Sequence, residues 1–518
     1  MILSTGSKFC DLICVTVLVR LGELILSRNE KILVTFALVL SNAMAGLDGT
    51  IVNTVLPAII SDFHAIQDMG WIVASFLLGM AVTTPLWSKF GERYGNKRAY
   101  ILATLIFMVG ALLQGVAPNV IWFIVARGFM GIGAGGVNTI PFIIYAQLFA
   151  SLKRRGQVIG IAAASFSGAS IIGPLLGGWI VDQFSWHWVF YVNLPIALLS
   201  ILIVAIWFNV PQQLNKASID YHGIILMVLG LSAMLIGIQE LGVLPTLFTL
   251  GCVGCGLLLL VVMVFAERRA EDPIVPGRLF KNPQLVIDFV LFALLWGAFV
   301  AFNIYIPMWA QGILGLSALI GGMTQIPGAF ANFGGSEWGA IVQRKLWRYD
   351  IISIGEVAFL VTFIGLCFAS QRTGYGFLLV MGAFEGFGIG LSFNILQVAV
   401  QSDAEPRDMP IATSFAYLIR ILAQTFMSAI YGVILNHALL AGVKGSQGKI
   451  TMAMMNRLSN SQTVRSLPQS LVPEMKQIFF LGLHHIMLTA LALLVIAAGI
   501  LIVLYAIGMA RSEKSVLN

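Results

Sequence analysis

The sequence predicts an all-α polytopic membrane protein, and three observations carry that expectation. The 518-residue chain is 58% hydrophobic and only 10% charged, with a mean hydropathy of +0.92; a soluble globular chain carries about 25% charged residues. Charge is absent from long runs such as residues 246–265, TLFTLGCVGCGLLLLVVMVF. Basic residues gather in short clusters between such runs. About 20 apolar residues rising ~1.5 Å each cross a hydrocarbon core of ~30 Å. An outer-membrane barrel is excluded, since its strands would alternate over about 10 residues.

Fourteen apolar segments are expected, starting near Ile32, Met69, Arg98, Val120, Gly156, His187, Tyr221, Thr246, Gln284, Ser317, Ile351, Gly374, Ile411 and Ile478. An even count puts both termini on one side, and the basic residues test that arrangement. With the termini inside, four of the 30 Lys and Arg precede the first span, and eighteen more fall in inner loops or the tail. Arg372 and five residues of one long outer loop (437–477) are the exceptions, while Arg127 and Arg420 lie within spans. This fits the positive-inside pattern. The net charge of +7 is therefore read as topology, and no nucleic-acid partner is expected. Residues 9–26 contain Asp11, Arg20 and Glu23, which suits an interfacial helix better than another span.

The Cys252/Cys255 pair lies in an apolar run without a nearby third ligand, so packing is expected there, with no metal or redox role. No Walker loop is present, so no nucleotide cofactor or ATP drive is expected. Nothing points to catalysis.

An internal echo suggests repeated halves. WSKFGERYGNKR (residues 87–98) ends the second span and WGAIVQRKLWRY (residues 338–349) the tenth, with Trp, an acid or amide, and bases at matching offsets. Two six-helix halves with a hairpin inserted between them would produce this register, and repeated halves belong to secondary transporters.

Five motifs in order resemble the major facilitator superfamily, specifically its fourteen-helix drug:proton antiporter branch. LDGTIVNTVLP (residues 47–57) is similar to that branch's first-helix signature, with Val55 in place of alanine. SKFGERYGNKR (residues 88–98) resembles the superfamily's cytoplasmic gating motif, departing at Ser88 and Glu92. RGFMGIGAG (residues 127–135) resembles the motif opened by an intramembrane arginine, with Met130 for glutamine. ASIIGPLLGG (residues 169–178) resembles the exporters' antiporter motif, with Ala169 for its first glycine. WHWVFYVNLP (residues 186–195) carries His187 in place of the branch's arginine. The resemblance covers about residues 31–510. It implies a major facilitator fold of two six-helix bundles plus an inserted two-helix hairpin, fourteen transmembrane helices in all. The expected divisions are an interfacial or cytoplasmic segment 1–30, an N-terminal bundle 31–210, the hairpin 211–270, a C-terminal bundle 271–510 with the outward loop 437–477, and a tail 511–518.

The chemistry of the motifs follows from their residue types. Gly91 and Gly95 permit a tight turn, while Glu92, Arg93 and Lys97 offer charge-assisted bonds that can hold a cytoplasmic gate. In the antiporter motif Pro174 bends its helix, and Gly173, Gly177 and Gly178 allow close helix approach. An acid in mid-span costs about 2.5–3.5 kcal/mol on insertion scales, so Asp48 is expected to face a partner or a cavity. Arg127 is the expected partner. Desolvation favours a neutral carboxyl and a nearby cation favours a charged one, so Asp48 with Arg127 is read as the proton-coupling pair, against the alternative of a purely structural ion pair. Glu385, within MGAFEGFGIG (residues 381–390), is a second buried-acid candidate. Arg420 resembles the branch's arginine at that place, though Ala423 replaces the usual glycine, and a structural pairing of Glu385 with Arg420 is an equal alternative to a functional role for either. His187 beside Asp182 is read as a surface histidine. Asn53, Trp71, Phe76, Trp296, Phe302, Tyr305, Trp309 and Tyr417 are candidate cavity wall, aromatic faces suiting bulky or cationic cargo.

The expectation is a monomeric, proton-coupled exporter of small lipophilic compounds, working by alternating access in a bacterial inner (plasma) membrane with both termini cytoplasmic. Its partners are a small-molecule substrate, protons and the lipid bilayer. A carrier of one specific metabolite, or a non-transporting sensor with the same fold, are the alternatives; a sensor would be expected to lose the gating pattern, which is present.

Overall fold

The computed structural model describes residues 27–149, 152–211, 221–241, 243–267, 277–343, 345–405, 409–459 and 461–516. The expected interfacial helix at residues 9–26 lies outside them. Helices begin within six residues of every expected span start. They are α1 (Arg28–Phe63), α2 (Met69–Tyr94), α3 (Asn96–Gly115), α4 (Val120–Leu148), α5 (Leu152–Gln183), α6 (Asn193–Trp207), α7 (Tyr221–Gln239), α8 (Thr246–Glu267), α9 (Pro283–Met308), α10 (Ile326–Val342), α11 (Arg348–Phe368), α12 (Tyr375–Asp403), α13 (Met409–Gly445) and α14 (Val472–Val516). Among the described residues, 12 helices are long and apolar enough to cross a membrane. Two expected spans stand apart from those twelve: α5, which opens on the basic Lys153, Arg154 and Arg155, and the stretch from Ala318. The latter breaks at Thr324 and Gln325 into a short helix, Ala318–Met323, and a 17-residue α10.

Local chemistry fixes several helix starts. Ser27 and Glu30 form a reciprocal cap on α1, the Ser27 N–H donating to Glu30 Oε2 at 2.7 Å and the Glu30 N–H to Ser27 Oγ at 3.3 Å. Asn119 Oδ1 accepts from the Trp122 N–H at the head of α4, 2.9 Å. Asn282 caps α9 just ahead of Pro283, whose missing N–H is harmless in a first turn.

Helices α1–α6 pack chiefly among themselves, as do α9–α14. The antiparallel pair α7–α8 rests on α2 and α13, one helix from each group. Small residues bring the pair together: a Cβ on Gly237 would lie 2.7 Å from the Thr249 carbonyl, and one on Gly230 would lie 3.1 Å from that of Gly256.

The expected long loop 437–477 is largely helical. Helix α13 runs on to Gly445, a Met-rich helix Met452–Leu458 follows, and α14 starts at Val472. Met455 and Leu458 are fully buried, so this connection is packed against the bundle. At the other end α14 continues to Val516, through most of the expected tail 511–518.

Candidate functional site

Asp48 sits near the middle of α1 and is only 2% exposed. Its nearest cation is Arg127 of α4, with Nη1 3.7 Å from Asp48 Oδ2. Asn193 Nδ2, from the first turn of α6, donates to Asp48 Oδ1 at 3.3 Å. Arg127 Nε donates to the Ile72 carbonyl of α2 at 3.3 Å, and its guanidinium lies 4.3 Å from the Phe76 ring centroid. Four helices thus converge on one buried polar node. The node is incompletely satisfied: Asp48 Oδ2, Arg127 Nη1 and Asn193 Oδ1 each lack a hydrogen-bond partner. An ion pair at this separation is longer than a hydrogen bond, leaving proton-accepting capacity on the carboxyl. Asn193 was missed in the sequence, although an amide inside an apolar run is the same kind of signal that Asp48 gave.

The C-terminal half arranges its charges differently. Glu385 on α12 is 3% exposed and accepts from Asn303 Nδ2 of α9 at 3.3 Å. Arg420 on α13 makes no ion pair among the described residues. It lies instead against three rings, with its guanidinium carbon 5.1 Å from the Trp296 centroid, 4.7 Å from Phe393 and 4.9 Å from Tyr417. The alternative of a structural pairing between Glu385 and Arg420 is not seen among the described residues, where each has separate neighbours.

The gating motif forms the turn between α2 and α3. Gly95 holds φ at 99°, a backbone region that glycine alone enters cheaply, and its N–H closes on the Gly91 carbonyl at 2.9 Å. Gly91 is buried against the Asn96 side chain. Glu92 and Arg93 are exposed, and Lys97 Nζ donates to Asn209 Oδ1 at 2.6 Å, tying the turn to the end of α6.

The antiporter motif divides its glycines between two contacts. A Cβ on Gly173 would lie 3.0 Å from the Leu47 carbonyl, and one on Gly177 would crowd Ile51 at 2.5 Å, so both seat α5 on α1. Gly178 instead faces Leu319 and Ala318 in the other half, and Gly322 presses on the Pro174 carbonyl. Next to this seam Asp182 caps the short helix, accepting from the Ala318 and Leu319 N–H groups at 3.3 and 3.0 Å. His187 does not pair with Asp182; it stacks on Trp186 at 3.6 Å.

Further bonds between the halves lie at the same end of the molecule. Gln311 Nε2 donates to the Thr54 carbonyl at 3.0 Å. Asn456, from the Met-rich helix, clasps the α1–α2 turn: its Nδ2 donates to the His64 carbonyl at 2.8 Å and its Oδ1 accepts from the Ile66 N–H at 2.9 Å. Ser459 Oγ donates to the Pro57 carbonyl at 3.3 Å, and the Ser61 and Thr463 hydroxyls meet at 3.1 Å.

Of the candidate wall residues, Phe76 and Trp296 touch the two arginines, as does Tyr417. Asn53 is half-buried on α1. Trp71 Nε1 donates to Glu240 at 3.1 Å, which points it at the α7–α8 turn. Phe302, Tyr305 and Trp309 are at most 1% exposed and sit in the packed interior.

Comparison with known proteins places this geometry in context. The chain is 29% identical over 479 residues to multidrug resistance protein 3 of Bacillus subtilis, covering 90% of this chain and 93% of the relative. It is 27% identical over 501 residues to the multidrug transporter protein MdtP of the same organism, covering 91% and 92%. A rubrofusarin-specific efflux pump of Gibberella zeae is 28% identical, covering 80% of this chain and 78% of the pump. Among solved structures, a bacterial homologue of the human lysosomal transporter Spinster superposes with a TM-score of 0.65 at 15% identity, over 92% of this chain and 97% of that one. The family model described as Major Facilitator Superfamily matches residues 38–428. Many membrane-spanning helices, two helical groups meeting at one seam and that match over most of the chain lead to one conclusion: the protein belongs to the Major Facilitator Superfamily and is a multi-pass membrane transport protein acting on small molecules, not an enzyme.

Proposed function

We propose that the protein exports small lipophilic drugs or toxic compounds in exchange for protons, by alternating access of an N-terminal bundle (31–210) and a C-terminal bundle (271–510). Counting α5 and the broken helix from Ala318 to Val342 as spans gives fourteen crossings, with the hairpin 211–270 inserted between the bundles. Both termini are cytoplasmic, in the plasma membrane of a bacterium, and the working unit is a monomer. The seam containing Gly178, Asp182 and Asn456 is then the outer gate. The turn with Gly91, Glu92, Arg93, Gly95 and Lys97 is the inner gate.

The buried Asp48–Arg127 node carries this reading. An acid held 3.7 Å from a guanidinium, with one carboxylate oxygen unsatisfied, can exchange a proton against the approach of a substrate, because each changes the field felt by the other. The multidrug names of two relatives covering nine-tenths of the chain support drugs as cargo. The positive-inside distribution of Lys and Arg supports the orientation.

The test uses everted vesicles energised to an acid-inside gradient. Adding a substrate is expected to release protons with the wild type and not with Asp48→Asn, at equal protein insertion. Release that survives the substitution assigns Asp48 a structural role and moves the proton site, with Glu385 the next to examine.

A further inference from the structure

The halves differ in how they neutralise their buried charge, and this bears on cargo. In the N-terminal half Asp48 and Arg127 offset each other. In the C-terminal half Glu385 is engaged by Asn303. It stands eight residues from Phe393 on the same helix, about 12 Å along the axis. Arg420 has no such counterpart. It is only partly buried, its Nε–H lacks a hydrogen-bond partner, and its described neighbours are the rings of Trp296, Phe393 and Tyr417. A guanidinium held between aromatic faces keeps its charge and its in-plane donors available. Those donors match a planar oxyanion, whereas a cationic cargo would meet like charge in a medium of low dielectric.

We propose that Arg420 is a specificity-determining residue that binds an aromatic organic anion, a flat apolar body bearing one carboxylate or sulfonate. The anionic group pairs with the guanidinium edge that carries the unpartnered Nε–H, and the ring system packs beside Trp296 and Tyr417. This rests on the export reading above and names its cargo class.

The experiment compares three probes of one shape: 1-naphthoate, 1-naphthamide and 1-naphthylmethylammonium. Binding to the full chain in lipid nanodiscs is measured by calorimetry, and accumulation in everted vesicles is followed in parallel. The wild type is expected to bind naphthoate at least tenfold more tightly than the amide, with the ammonium weakest. Arg420→Gln is expected to erase the preference for the anion while leaving the amide within twofold, and Arg420→Lys to retain part of it. A wild type that ranks the ammonium first or shows no preference overturns the proposal, without needing any variant to fold. Equal weakening of all three probes by Arg420→Gln overturns it too, since that is the mark of a packing role. Anion-selective binding without accumulation of any probe sustains the site and sinks the export reading, so the two failures are distinguishable.

Discussion

Two arginines within the helical bundles, the buried Arg127 of the first half and the partly buried Arg420 of the second, are held by opposite means. Arg127 is tied to a carboxylate, a backbone carbonyl and one ring. Among the described residues Arg420 is held by three rings and no acid. The fourth helix of each half carries a buried charge, but its sign is reversed, Arg127 on α4 and Glu385 on α12. The lesson concerns divergence. A charge satisfied by another charge forms a closed unit whose members cannot be removed singly. A charge satisfied by rings leaves its hydrogen-bonding edge for something else.

The largest expected effect tests the seam that joins the halves. Ser61→Cys with Thr463→Cys places two thiols where hydroxyls now meet; oxidation is expected to abolish transport and reduction to restore it. Transport that continues through a fully formed cross-link breaks the alternating-access reading. Next comes the contrast between the arginines. Arg127→Met leaves Asp48 buried and unpaired, at an expected cost of about 3–5 kcal/mol. Arg420→Met, which strands no acid, is expected to cost about 1–2 kcal/mol through its lost ring contacts. Thermal unfolding in detergent measures both, and equal losses would erase the distinction. Combining Asp48→Asn with Arg127→Gln is expected to recover stability to within about 1 kcal/mol of wild type while leaving proton release at zero, because neutral partners can still hydrogen-bond. A double variant no more stable than Arg127→Met shows that the node depends on more than the pair. The smallest effect is expected from Glu385→Gln, about 0.5–1.5 kcal/mol, since the bond from Asn303 survives in altered form. A much larger loss reveals an unrecognised cation near Glu385.

Much of this was legible in the sequence, for definable reasons. Helix starts were readable because apolar runs and their polar punctuation are local. The Asp48–Arg127 partnership was readable because a lone acid in a span demands compensation and few residues can supply it. Contacts set by the lateral order of helices were not. Nothing in the spacing of Trp71 says that it faces Glu240 on the hairpin instead of a substrate path. Nothing in the expected outer loop 437–477 singles out Asn456, yet its amide fastens the α1–α2 turn from almost four hundred residues away. The break at Thr324 and Gln325 was hidden by an apolar surrounding that continues through it. By type Glu385 and Arg420 could pair or act apart, and it is the packing of α9 against α12 and α13 that separates them.

In the arrangement proposed above the hairpin α7–α8 adds two crossings, an even number, and in a membrane parity decides which way up everything downstream must sit. A chain that crosses twice returns to the face it left, so the hairpin leaves the second half in its original sense. Its cost is mechanical. Gln239, at the end of α7, lies against both Gly70 of α2 and Gly432 of α13, and the two glycines approach so closely that a Cβ on Gly432 would stand 3.0 Å from Gly70 Cα. In the alternating-access motion proposed above the halves would slide past that amide, and the inserted pair would act as a bearing.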